Sequence, residues 1–292
     1  MKRISKKLIS MFLVPIVLMT LLVGCGEHSN DDTNNTQKAP NTESTDALPD
    51  STISDVSKKN TVAEPNVSVE IDNKLALIGS ETLQYPGKEN GYTFNAYESY
   101  VEITHCPYGI STLEIPATIN NLPVWVIGEE AAKGNEDLES VIIPDTVVKI
   151  CEFAFYEAEN LKSIQLPNSV AIIEHGAFYD TEIPEFPISE NIRVIEDQAF
   201  PYLYQSNSIT IPESAQSIGY LTFNFDGYQE GDTITITILS KNVVLSDDFY
   251  RLFNRDSNGN MVSAEVVICG YAGSTAAAYC AEHFKTMEVI PE

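Results

Sequence analysis

The chain is predicted to fold as a solenoid, a column of stacked coils with short parallel strands, closed by a short C-terminal helix and preceded by a polar tether. Three observations predict it. Ile127, Ile150, Ile173, Ile195 and Ile218 recur at intervals of 23, 23, 22 and 23 residues. Five residues after each stand Ala132, Phe155, Phe178, Phe200 and Phe223. Upstream, the runs LESVIIP, LKSIQLP, IPEFPIS and SNSITIP hold two more apolar columns, Val141, Ile164, Phe186 and Ile209, and Ile143, Leu166, Ile188 and Ile211. One such coil cannot shield its own apolar side, so coils must stack until caps close the column.

The elements follow in chain order. Residues 1–24 combine a basic start (Lys2, Arg3, Lys6, Lys7) with an apolar stretch from Met11 to Val23, shorter than the ~20 residues a membrane-spanning helix needs. Leu22-Val23-Gly24-Cys25 resembles the lipobox of bacterial lipoproteins. That resemblance implies a cleaved signal peptide, lipidation of Cys25, and a lipid-anchored protein on the extracellular side of the cell membrane. Two acyl chains on one residue anchor stably where one would be marginal. The stretch from Gly26 to about Pro65 is rich in Ser, Thr, Asn, Asp and Pro and is read as a disordered linker, residues 25–66 with the lipidated cysteine. As a coil it would span on the order of 35 Å.

Residues 67–100 carry short apolar runs (VSVEI, LALI, YTFNAY) between turn signals such as Pro86-Gly87 and Asn90-Gly91, which predicts a β-rich N-terminal cap. Residues 101–223 are the repeats. In LKSIQLP, Ile164 and Leu166 alternate with Gln165, the period-two pattern of a half-buried strand. Strands of neighbouring coils should pair in parallel into a continuous sheet, with Pro144, Pro167 and Pro212 ending them. The fourth coil departs: Pro187 lies inside its strand and removes a ladder donor, so the sheet should weaken there. Residues 224–292 hold a degenerate sixth coil (Thr233 to Phe253, with Phe249 in the Phe slot), a loop NRDSNGNM, and a strand-turn-helix-strand ending with Ser274 as helix N-cap.

The pattern L-x-S-[IV]-x-[IL]-P-x-[ST]-V-x-x-I-x-x-x-A-F resembles the BspA-like leucine-rich repeats of bacterial surface proteins. The segment LEIPATINNLPVWVIGEEAAKG resembles that family's first coil, with a five-residue insertion between Pro116 and Ile127. The resemblance implies a leucine-rich-repeat solenoid and a role in adhesion or binding. The chain departs from the pattern at Ala132, in place of Phe, and at Cys151 and Glu174, where Gly is common.

Composition narrows the partners. With the four basic residues of 1–24 removed, 13 basic residues face 42 acidic ones, a net charge of −29. Such a surface repels phosphate backbones, so no nucleic-acid partner is expected. The sequence carries no catalytic constellation. The His residues (His28, His105, His175, His283) have no metal-ligand spacing. His105 and Cys106, adjacent on a strand, should face opposite ways. Glu174-His175 reads as a solvated pair, and Asp256 to Asn260 as a plain turn rather than a calcium loop. Cys106, Cys151, Cys269 and Cys280 read as small buried thiols, with a Cys269–Cys280 disulfide as the alternative. No cofactor, metal or enzymatic activity is expected.

Stacked strands place outward residues in columns about 4.8 Å apart. Ser140, Ser163, Glu185 and Ser208 form one, and Ile142, Gln165, Pro187 and Thr210 another. Tyr156 and Tyr179 follow the core Phe in adjacent coils and should lie side by side, with Tyr202 nearby. Exposed aromatics of this kind can bind sugar faces or anchor a protein. The candidate binding surface is therefore Tyr156, Tyr179, Tyr202, Ser140, Ser163, Gln165, Glu185, Ser208 and Thr210, with packing over the coil edges as the plainer role for the tyrosines. The function expected is a non-catalytic cell-surface module for protein or glycan binding. A structural role through self- or hetero-association of the repeats is the alternative.

Overall fold

The repeat rests on aromatic packing. A computed structural model describes residues 67–204, 206–252, 260, 264–283 and 285–291. The signal peptide, Cys25, the linker and most of the NRDSNGNM loop lie outside the described residues. Phe155 and Phe178 stack with ring centroids 5.0 Å apart, and Phe186, Phe200, Phe223 and Phe249 continue the line at 4.8, 4.3, 5.5 and 6.4 Å. The C-terminal helix closes it, where Tyr279 meets Phe249 at 5.1 Å. The Ile column from Ile127 to Ile218 is buried beside this spine.

Three sides surround the core. The first is the LxSIxL side, whose strands Thr112–Glu114, Ser140–Ile142 and Ser163–Gln165 pair in parallel and in register. A second parallel group, Ser208–Ile211, Thr233–Ile238, Glu265–Gly270 and Met287–Val289, continues that side. The expected continuous sheet is thus two sheets, because residues 183–188 of the fourth coil form no strand. Pro184 and Pro187 have no N–H to offer, and Phe186 turns into the spine between Phe178 and Phe200.

The second side carries two-residue strands, Lys149–Ile150, Ile172–Ile173, Val194–Ile195, Ser217–Ile218 and Val244–Leu245. They extend a ladder begun by the antiparallel hairpin Tyr85–Glu89 and Tyr92–Ala96, then Val101–His105 and Leu122–Ile127. The insertion after Pro116 is a small hairpin, Thr118–Ile119 against Leu122–Ile127, turning through Asn120 and Asn121 at φ 52 and 64. Paired left-handed residues make the tight turn that matches strand twist, and Asn tolerates them. On the third side, turns are cross-linked by backbone bonds such as Phe155 N to Ala177 O (2.8 Å) and Phe178 N to Ala199 O (2.9 Å). Each of these turns needs a left-handed residue three positions after the Ile: Glu130, Phe153, Gly176, Gln198 and Leu221, with φ from 48 to 59.

The N-terminal cap differs from its predicted form. VSVEI and most of LALI, which read as extended runs, make a helix, α1, over Val67–Leu77. Ile71, Leu75 and Ile78 stand at helical spacing and pack on Tyr100, Trp125, Val148 and Ala171, the outward face of the second side. Tyr97, Tyr100 and Trp125 stack at 4.5 and 5.1 Å, and Lys74 Nζ lies 5.8 Å from the Trp125 ring centre. At the other end Arg193 Nη2 donates to Ser68 Oγ (2.6 Å) and Asp72 Oδ1 (3.2 Å). The C-terminal cap has the predicted order, with α2 at Thr275–Glu282 and Ser274 Oγ accepting from Ala277 N.

Two outcomes test this packing. Gly176→Ala would place a Cβ 2.6 Å from the Phe153 ring at a left-handed backbone position, so it is expected to cost about 1–3 kcal/mol in denaturant unfolding. Deleting residues 67–78 uncovers Trp125, the chain's one tryptophan, so its fluorescence should shift to the red while the repeat core stays folded.

Candidate functional site

The third side brings the predicted tyrosines together. Tyr156 and Tyr179 stack with centroids 5.9 Å apart and planes 15° apart. Tyr202 follows at 6.0 Å, with its hydroxyl 3.3 Å from that of Tyr179. The backbone sets these positions: Gly134 N donates to Tyr156 O (2.7 Å) and Glu157 N to Tyr179 O (3.0 Å). Tyr202 lies in the strand Tyr202–Leu203, paired with Asn224, which pairs in turn with Arg251. All three rings are half-buried. Because Tyr156 and Tyr179 face one another, they offer solvent mainly ring edges and hydroxyls.

Three residues outside the predicted set, Lys133, Phe153 and Tyr204, complete this surface. Lys133 Nζ caps the column, 5.5 Å from the Tyr156 ring centre and 5.6 Å from that of Phe153, and its ammonium also pairs with Glu130. Phe153 meets Tyr156 and His175 edge-on, both at 5.1 Å. Tyr204, 6.4 Å from Tyr202, is 44% exposed and the most open ring of the column. Lys133 could have been found by stepping back one period of 23 residues from Tyr156. Phe153 and Tyr204 had no such signal, since neither repeats in the neighbouring coils.

Acidic residues border the rings. Burial, then Glu157 and Asp180, raise the Tyr156 phenol above its ordinary value. Tyr179 is raised by burial and by its hydrogen bond with Tyr202, and Tyr204 by burial and then Asp226. The Asp180 carboxyl is itself pushed up, by burial and then by Glu157 and Glu159. The stripe therefore presents neutral phenols beside crowded carboxylates.

The predicted strand residues fall into separate groups. Ser140 and Ser163 are neighbours in register, and Ser140 Oγ donates to Thr112 Oγ1 (3.0 Å). Gln165 lies beside Ile142. Ser208 and Thr210 belong to the second sheet, opposite Thr235 and Thr237. Glu185 is exposed in the unpaired stretch between them, so the column is interrupted there.

The ionisable groups outside the tyrosine column are packed as structure. Cys106, Cys151, Cys269 and Cys280 are buried free thiols. Burial pushes Cys106 up to about 12 and raises the other three, which removes the thiolate needed for nucleophilic chemistry. His105, the last residue of its strand, is exposed, and Cys106, just beyond it, is buried. Glu174 is not solvated as expected. It pairs with Lys149 at 2.6 Å and accepts from Glu152 N, because the parallel register sets the two coils side by side. Among the described residues no group of His, Cys, Asp and Glu could hold a metal ion, and no helix is long and apolar enough to cross a membrane.

Residues 126–249 match the family described as BspA type leucine rich repeat region, in 6 copies. No curated protein matches the chain. Among solved structures, a leucine-rich repeat protein of T. pallidum is 16% identical, with 63% of this chain and 86% of that one covered and a TM-score of 0.41. One from Bacteroides ovatus is 16% identical over 70% and 77% of the two chains, with a TM-score of 0.44. A leucine rich cell surface protein of Faecalibacterium prausnitzii is 20% identical over 65% and 52%, with a TM-score of 0.35.

The crowded Asp180 gives a pH-dependent outcome. Its folded pKa lies above the unfolded value, so its ionisation opposes folding at neutral pH, and that penalty fades as pH falls through the folded pKa. Asp180→Asn, at a left-handed position (φ 58) that Asn tolerates, should raise the melting temperature near pH 7. Below the ordinary aspartate range the two proteins should melt alike.

Proposed function

We propose that this leucine-rich-repeat protein is a non-catalytic binding module, displayed outside the cytoplasm by a lipid anchor on Cys25 and a polar linker. Its partner is a protein or glycan at the cell surface. The supporting observation is the Tyr156–Tyr179–Tyr202 column, held at fixed spacing by backbone bonds between coils and flanked by Tyr204 and Lys133. A rigid row of aromatics pays little ordering entropy when a partner docks, which suits recognition. The lipobox-like sequence and basic, apolar first 24 residues support the location. Raised, buried thiols support a role without covalent chemistry.

The test is cell-surface display of the full chain and of the variant Tyr156→Ala with Tyr179→Ala, each probed with matrix proteins and glycans. The wild type should retain a partner that the double variant loses, with melting curves unchanged. Equal retention by both would sink the reading, and turnover of a bound component would sink its non-catalytic part. Replacing Cys25 by Ser should release the protein from the membrane fraction.

A further inference from the structure

The break in the fourth coil is more than a packing fault. Between the strand Ser163–Gln165, which ends one sheet, and Ser208–Ile211, which begins the next, residues 183–188 make no backbone hydrogen bond among the described residues. Phe186 draws the segment toward the spine, and what remains at the surface is a groove of about 620 Å³ lined by Ile164, Glu185, Phe186, Pro187 and Asn207. Its walls are two terminal strands and a stretch of peptide whose hydrogen-bonding groups have no backbone partner. Such edges recognise another extended backbone, because only a strand matches their spacing of donors and acceptors.

A second hollow adjoins the first. Asn207 lines both, and the second, about 320 Å³, is walled by the Tyr204 ring, Tyr228 and Asp232. Tyr204 stands in the negative field of Asp226, Glu182 and Asp180. An open aromatic ring beside carboxylates suits an ammonium or guanidinium group. The chain already shows that chemistry one end of the column away, where Lys133 lies over Tyr156 and Phe153. The net charge of −25 adds long-range attraction for a basic partner.

We infer that this groove receives an extended polypeptide segment bearing Lys or Arg, its backbone set along the fourth coil and one cationic side chain placed in the hollow between Tyr204 and Asp232. This rests on the binding-module reading and names the class of partner.

The test uses the full chain and a fluorescein-labelled heptapeptide of alternating threonine and lysine. Three counterparts accompany it: one with glutamate for lysine, one N-methylated at alternate amides, and a neutral oligosaccharide. The lysine peptide should bind and weaken as salt is raised. The glutamate peptide should not bind, and N-methylation, which keeps the charge but removes strand pairing, should weaken binding roughly tenfold. Tyr204→Ala and Asp232→Asn should each weaken it by roughly the same factor. Asn at 232 can still accept from Gln229 N, as Asp232 Oδ2 does now, and matched melting curves verify both folds. No binding of the lysine peptide, equal binding of its N-methylated form, indifference to both substitutions, or competition by the oligosaccharide alone would each overturn the inference. In those cases loss of surface binding in the Tyr156→Ala, Tyr179→Ala variant would still uphold the module, whereas peptide binding with no such loss would sink the reading built on the tyrosine column and leave the groove as the binding site.

Discussion

Every other feature of this structure depends on one requirement: each coil after the first, where Ala132 stands, must place an aromatic ring at the same height against the ring of the next. Phe155, Phe178, Phe200, Phe223 and Phe249 are wholly or almost wholly buried, and each contributes apolar area that no single coil could shield. Burial of such a ring is the largest favourable increment available per coil, so the rest of the coil bends to permit it. The turn before Phe155, Phe178, Phe200 and Phe223 adopts a left-handed residue whether or not glycine is present. Phe153 and Leu221 accept it at φ 54 and 48, a conformation costing an L-residue roughly 1–2 kcal/mol. That cost is smaller than the loss from a missing core ring, about 3–5 kcal/mol.

Stacking at fixed height also makes the surface. Side chains at equivalent positions line up, so three tyrosines become a column and crowded carboxylates become its border. The two remaining sides have different fates. Helix α1 lies over the first coils of the short-strand side, held by Ile71 against Trp125 and by Arg193 against Asp72. The LxSIxL side is interrupted at the fourth coil, where residues 183–188 make no backbone hydrogen bond among the described residues.

The interruption shows how core and ladder compete. In the fourth coil Phe186 bridges Phe178 and Phe200 at 4.8 and 4.3 Å. Gaining that contact draws the segment out of register, and two prolines reduce what the ladder loses by it, since neither could donate. Aromatic contacts of about 0.5–1.5 kcal/mol beyond burial are comparable with the net worth of the backbone bonds forgone. The groove is the geometric remainder of that exchange.

The repeat, the six-coil length, the parallel pairing, the weak fourth coil and the C-terminal cap were all legible in the sequence, because a period of about 23 residues writes the same apolar positions again and again. Local order of this kind is encoded locally: Ser274 before an Ala-rich run makes a helix wherever it stands, and Pro187 cannot donate in any context. Helix α1 departs from the expected extended runs because its apolar residues fit both a broken strand and a helical stripe. What settled the matter was the apolar face of Tyr100, Trp125 and Val148, assembled from residues far apart in the chain. The left-handed Phe153, the ion pair of Lys149 with Glu174, and the junction of two hollows at Asn207 were likewise decided only by the tertiary structure. Period and pattern report what every coil shares, whereas a site arises where one coil departs from the others and its neighbours must adjust.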